Sequence, residues 1–259
     1  MQPLSIDLSG QIKQFNKHHG TKIAAVTFSN LFMMDADNDT FVEFEDDCMI
    51  VYHQWGSDRA SISLIGLIKR ELVDRLISEL GVPVTIWGDL NFDRDETGLG
   101  DFQVNLDRDN AEYMYLIKDV VERKGANYAS LRRKVNHCLG LHSPELRKLT
   151  SGAMDIVWRF AKDQYETRDH LSLQQEKAAL EKGLTFFKQL RLDCLGMFIE
   201  NKLVGFVITE TLDSETIVIH FFKSKHEIKG LAEYLFVSTC EHCQEQATQL
   251  NFEQDLGID

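Results

Sequence analysis

The sequence predicts an α+β chain of two consecutive lobes, each a mixed, mainly antiparallel sheet flanked by helices. Three observations predict it. Residues 143–259 give the order helix, helix, three strands, helix, strand. Residues 1–124 give a rougher version of that order. Between them, Gly125 to Cys138 gathers Arg132, Arg133 and Lys134 on a segment whose Tyr128, Leu131 and Val135 recur at helical spacing. The expected division is therefore a first lobe at 1–124, a basic connecting helix at 125–142 and a second lobe at 143–259. No repeat is visible by residue identity, so the twofold division rests on element order. A single α+β domain is the competing arrangement.

In the first lobe, Ile6 to His18 carries Leu8, Ile12 and Phe15 on one helical stripe. Phe28 to Met34 is a short apolar segment, followed by an acidic turn. Thr40 to Gln54 reads as strand, turn, strand about Glu45 to Asp47. Leu67 to Leu80 has helical spacing, with Gly81 as its stop. Val84 to Leu90 is a compact strand, Asp93 to Gly100 a loop, and Phe102 to Leu106 and Glu112 to Leu116 are two further strands.

In the second lobe, Ser143, Pro144 and Glu145 form a helix-start signal, and the pattern Leu146, Leu149, Ala153, Ile156, Val157, Phe160 predicts a helix to about Tyr165. Ser172 and Gln175 form a capping box for a second helix ending near Leu190. Leu195 to Glu200, Leu203 to Glu210 and Glu215 to Phe222 are strands, turned at Asn201-Lys202 and at Asp213-Ser214. A helix from Lys229 to Gln246 precedes a last strand at Leu250.

The chain of 259 residues carries a formal net charge of −13. That field repels phosphate, so nonspecific coating of nucleic acid or anionic membrane is excluded, and any such contact must use a local basic patch. Arg132 to Lys134 is one patch; Lys223, Lys225 and Lys229 form another. No apolar run approaches the ~20 residues of a membrane span. The N-terminus lacks a signal-peptide layout, and five scattered cysteines fit free thiols in a reducing compartment. These features point to a cytoplasmic protein without an integral membrane segment.

Metal signals are weak. Cys240-Glu-His242-Cys243 falls in a predicted helix and has no second ligand pair, so packed thiols are expected there. Asp35, Asp37 and Asp39 resemble the opening of a calcium loop but lack its glycine and final glutamate. The nine histidines follow no motif. No metal site is expected.

Three stretches carry a resemblance: Tyr-rich AEYMYLIKDVVERKG, the Gly-opened basic segment GANYASLRRKVNHC, and the late run Asn251-Phe-Glu-Gln-Asp-Leu-Gly-Ile258. Their order and spacing, together with Val26 to Phe32, resemble the family of the phosphatidylglycerol lysyltransferase C-terminal domain. The late motif is the most specific, since Glu253 to Ile258 stands unbroken; Phe252 replaces the family's Arg. The resemblance implies two N-acetyltransferase-like (GNAT) lobes and group transfer from an activated carboxyl donor, either aminoacyl-tRNA or a coenzyme A thioester. The acceptor would be an amine or hydroxyl, a peripheral lipid head group among them. The family continues past Leu-Gly-Ile, so the second lobe is expected to be incomplete at its end, with an open late strand that favours a homodimer.

The residues expected to act follow from this. Arg132, Arg133, Lys134, Asn136 and Asn251 would bind substrate, with Arg132 the strongest contact through its bidentate fork. Lys225, Lys229, Gly230 and Ala232 would hold a donor phosphate, in a loop that carries Glu227 where GNAT enzymes place a donor side chain. Glu253 and Asp255 would orient the nucleophile or act as base, or else form a structural ion pair with Arg132 or Lys134. The alternative function is a catalytically silent GNAT-fold binding or scaffold protein.

Overall fold

Two units, Met1–Arg108 and Asp109–Asp259, divide the chain. The structure, a computed structural model, describes residues 1–55, 59–81, 84–87, 111–165 and 171–254.

The first unit contains β1 (Gln2–Pro3), α1 (Ser9–His18), α2 (Phe28–Met34), β2 (Thr40–Glu45), β3 (Cys48–Trp55), β4 (Arg59–Gly66), α3 (Arg70–Leu80) and β5 (Val84–Trp87). Its sheet runs in chain order, β1 to β5. Neighbours are antiparallel except β4 and β5, which are parallel. A parallel pair needs a crossover, and α3 supplies it. The face of α3 carrying Leu72, Val73 and Leu76 packs on Cys48, Ile50, Ile62 and Leu64 of β3 and β4. Phe28–Met34, expected only as an apolar segment, is a helix because Thr27 accepts the Asn30 N–H at 3.2 Å and caps it. Arg59–Gly66 forms β4, a strand absent from the expected elements although Ile62 and Leu64 alternate with Ser61 and Ser63. The loop at 93–100 and the strand at 102–106 lie outside the described residues.

The second unit contains β6 (Glu112–Leu116), α4 (Ile117–Glu122), α5 (Ala129–Leu141), β7 (Glu145–Leu149), α6 (Met154–Tyr165), α7 (Leu171–Thr185), α8 (Phe187–Leu190), β8 (Asp193–Ile199), β9 (Lys202–Thr211), β10 (Thr216–Ser224), α9 (Leu231–Cys243) and β11 (Gln249–Gln254). The sheet order is β6-β11-β10-β9-β8-β7. From β7 onward the order repeats that of the first unit: strand, helices, three antiparallel strands, helix, and a final strand parallel to the third. Both units are thus α+β with a mixed sheet.

Four expectations change. Glu145–Leu149 is an edge strand paired with β8, not the start of a helix; the helix begins at Met154. Leu146 and Leu149, three apart, fit helical spacing, but pairing with β8 makes the segment a strand in which they fall on opposite faces. Ser172, expected to precede the second helix as its cap, lies within α7, which begins at Leu171. Glu112–Leu116, assigned to the first lobe, pairs antiparallel with β11. This pairs β11 on both sides and removes the open late strand from which a homodimer is expected. The basic segment likewise belongs to the second unit, where Val135 and Cys138 of α5 join the core cluster of Leu231, Leu235 and Val237 of α9.

Candidate active site

The parallel ladder between β10 and β11 is short. It joins Thr216–Val218 to Gln249–Asn251, and beyond it both strands lose their regular register. On β10 the register with β9 shifts between Ile219 and Phe221, leaving His220 at the bulge. On β11 the register with β6 shifts between Asn251 and Gln254. A bulge re-aims a side chain, and here two adjacent bulges bring titratable groups together.

His220 Nδ1 lies 2.7 Å from Glu253 Oε1, and Nε2 lies 3.2 Å from Glu210 Oε2. The His220 and Glu210 side chains are 1% and 5% exposed, while that of Glu253 is 24% exposed. Burial alone would lower the imidazole pKa, but the hydrogen bonds to Glu210 and Glu253, with their charges, outweigh it and push it up to about 9. At neutral pH His220 is therefore an imidazolium that donates from both ring nitrogens.

Glu253 has φ +59°, a conformation that costs a non-glycine residue roughly 1–2 kcal/mol. Buried Asn251 holds it there: its Oδ1 accepts the Glu253 N–H at 2.9 Å, and its Nδ2 donates to Glu112 Oε2. Glu112, Asn251 with Glu253, His220 and Glu210 thus form one hydrogen-bonded file across β6, β11, β10 and β9. Of His220, Glu210 and Glu253, Glu253 lies nearest solvent.

The second half of the site lies where β10 ends and α9 begins. A cavity of about 530 Å³ opens there, lined by Arg133, Lys134 and His137 of α5 and by Lys225, Lys229, Gly230, Ala232 and Glu233 of the loop and α9. Four cations face one carboxylate. Lys134 pairs with Glu233 at 2.7 Å, while Arg133 and Lys229 form no ion pair among the described residues. The first turn of α9 adds N–H groups and positive potential.

Gly230 has φ +83° and stands against α5; a Cβ on it would lie 2.1 Å from the Lys134 carbonyl oxygen. The glycine therefore serves helix packing. The close approach it allows is taken by a carbonyl and is not left open to a pyrophosphate.

The expected site residues separate accordingly. Arg133, Lys134, Lys225, Lys229, Gly230 and Ala232 meet at the cavity. Arg132 does not: its Nη1 donates to the carbonyls of Arg123 and, at 2.9 Å, Gly125, closing the end of α4. Asn136 is exposed on α5 and does not line the cavity. Asn251 positions Glu253 from within the sheet. Glu253 pairs with His220, not with Arg132 or Lys134, and Asp255 lies outside the described residues. Cys240 and Cys243 are buried in the core of α9, where burial pushes their thiols up to about 12 and about 11. His220 and Glu210 were missed, although a histidine within the apolar run Ile217 to Phe222 was a visible signal.

No helix among the described residues is long and apolar enough to cross a membrane. No curated protein matches the sequence. Among solved structures, a conserved protein of unknown function from Bacteroides thetaiotaomicron is similar at TM-score 0.86 and 20% identity, over 98% of this chain and 90% of that one. The structure of L-PGS from Bacillus licheniformis is similar at TM-score 0.62 and 14% identity, over 100% and 82%. FemX is similar at 0.63 and 9%, over 95% and 87%. These likenesses establish the fold, in which each unit follows the element order of a GNAT lobe. Residues 20–256 match the family described as phosphatidylglycerol lysyltransferase, C-terminal, and the chain belongs to that family.

Proposed function

We propose that this protein transfers an aminoacyl group from aminoacyl-tRNA to an amine or hydroxyl acceptor, a lipid head group among them. The observation that carries the reading is the cationic cavity beside α9, in the same unit as the His220–Glu253 pair at the divergence of β10 and β11. The cavity residues Arg133, Lys225 and Lys229 would hold phosphates of the donor. Glu253, held by His220 and Asn251, would accept a hydrogen bond from the acceptor and aim its lone pair at the ester carbonyl. The acceptor attacks directly: the new bond forms to the carbonyl carbon, the tRNA 3′ oxygen leaves, and the acceptor's proton passes to solvent or to the leaving oxygen. No covalent enzyme intermediate is required.

The Lys134 carbonyl against Gly230 favours tRNA over a coenzyme A thioester as donor, because it occupies the approach a pyrophosphate would use. The same contact also favours a second reading, a silent scaffold whose donor loop is covered by α5. Equilibrium binding separates these. The transferase reading expects aminoacyl-tRNA to bind the parent, and expects Arg133→Ala and Lys229→Ala each to weaken it roughly tenfold, at about 1.4 kcal/mol per tenfold. Coenzyme A should bind weakly and be indifferent to both variants. If neither ligand binds, the scaffold reading holds.

A further inference from the structure

The first unit brings together three side chains that the transferase reading does not use. His18 and His19 end α1, and Asp47 lies in the turn between β2 and β3. Both imidazoles face the one carboxylate: His19 Nε2 is 3.1 Å from Asp47 Oδ1, and His18 Nε2 is 4.0 Å from Oδ2. One donor atom from each of the three lies within 4.8 Å of the others. We propose that His18, His19 and Asp47 form a binding site for a divalent transition-metal ion, with Zn²⁺ as its occupant.

The donor set selects the class of ion. Two imidazoles and one carboxylate suit zinc and its neighbours, whereas calcium and magnesium take oxygen ligands throughout. Bonds of about 2.0–2.1 Å place ligand atoms on one tetrahedral ion roughly 3.4 Å apart. His19 and Asp47 already stand near that spacing. His18, 70% exposed, needs only a small swing to close it.

The two nearer ligands are held in place. The His19 ring is 17% exposed and lies 4.4 Å, centroid to centroid, from Phe15. Gly66, at φ +101°, makes room for it: a Cβ there would lie 2.6 Å from the Asp47 carbonyl oxygen, 2.8 Å from Phe15 Cζ and 3.2 Å from His19 Cε1. The Leu67 N–H fixes that same carbonyl at 3.0 Å. Neighbouring Asp46 pairs with Lys69 at 3.1 Å, so Asp47 is the turn carboxylate that faces the histidines. Three protein ligands leave a coordination position for water, and the ion would tie the end of α1 to the β2–β3 turn.

The test is calorimetric titration of the chelator-stripped full chain with Zn²⁺, beside His18→Ala and Asp47→Asn. Absorption spectra of the Co²⁺-loaded parent complete it. One equivalent should bind the parent, raise its Tm and be removed by chelator. Each variant should bind at least tenfold more weakly. Because His18 is exposed, its replacement should leave the metal-free Tm unchanged. The Co²⁺ spectrum should lack thiolate charge-transfer bands, which excludes Cys240 and Cys243 as ligands. Absence of uptake, uptake equal in parent and both variants, or a thiolate band would each overturn the proposal.

Discussion

His220 makes stability depend on pH in a direction set by its partners. Its folded pKa of about 9 stands above the ordinary value near 6.5. The stabilisation is therefore complete below about pH 6.5 and is lost as pH rises through about 9. Urea unfolding of the parent should show stability falling by a few kcal/mol across that window, and His220→Gln should flatten the fall. A parent profile flat between pH 6.5 and 9 would mean that His220 is not held as an imidazolium. Gly230 gives a second prediction at this scale. Alanine there must adopt a positive φ and displace the Lys134 carbonyl, so Gly230→Ala should cost roughly 2–4 kcal/mol in chemical denaturation. A loss of ligand binding in that variant would report displaced α5 as much as a lost phosphate contact. That makes it a poor probe of the donor site.

On α5, adjacent cations do different work. Successive residues on a helix point about 100° apart, so Arg132 turns back to the end of α4 while Arg133 reaches the cavity. Arg132→Ala should lower stability by roughly 1–3 kcal/mol, the scale of a charged hydrogen bond, and leave anion affinity unchanged. Arg133→Ala should do the reverse, and a denaturation curve beside a binding isotherm checks both. The basic triplet was legible in the sequence; its division of labour was not, because contact with α9 sets the rotation of α5. The strands between Asp193 and Ser224 were legible for a local reason. Their apolar runs are broken by turn residues such as Asn201, which takes φ +61°. β7 was hidden because its leucines fit helical spacing, and pairing with β8 is a long-range fact. The His220 set was hidden because it depends on two bulges, each a one-residue shift that composition does not encode. The pairing of β6 with β11 spans more than a hundred residues of chain, beyond the reach of any local pattern. The His18, His19 and Asp47 cluster has the same character. A histidine pair says little until the hairpin turn is placed beside it.

Across the whole molecule, a net charge of −13 repels the phosphates that a tRNA donor carries, and the cavity concentrates the opposite sign in one place. Donor binding should therefore be local and salt-sensitive. If about three phosphates are neutralised there, affinity should fall roughly tenfold or more between 50 and 200 mM salt, and by less in Lys229→Ala. Filter binding over that range measures it. The transfer itself is tested by single-turnover incubation of the protein with labelled aminoacyl-tRNAs, phosphatidylglycerol vesicles and small amines. The parent should consume the aminoacyl ester faster than spontaneous hydrolysis and deliver the label to an acceptor. Glu253→Gln should slow this by about a hundredfold or more while still binding tRNA. Ester loss at the spontaneous rate with every acceptor, or transfer undiminished in Glu253→Gln, would contradict the transferase reading.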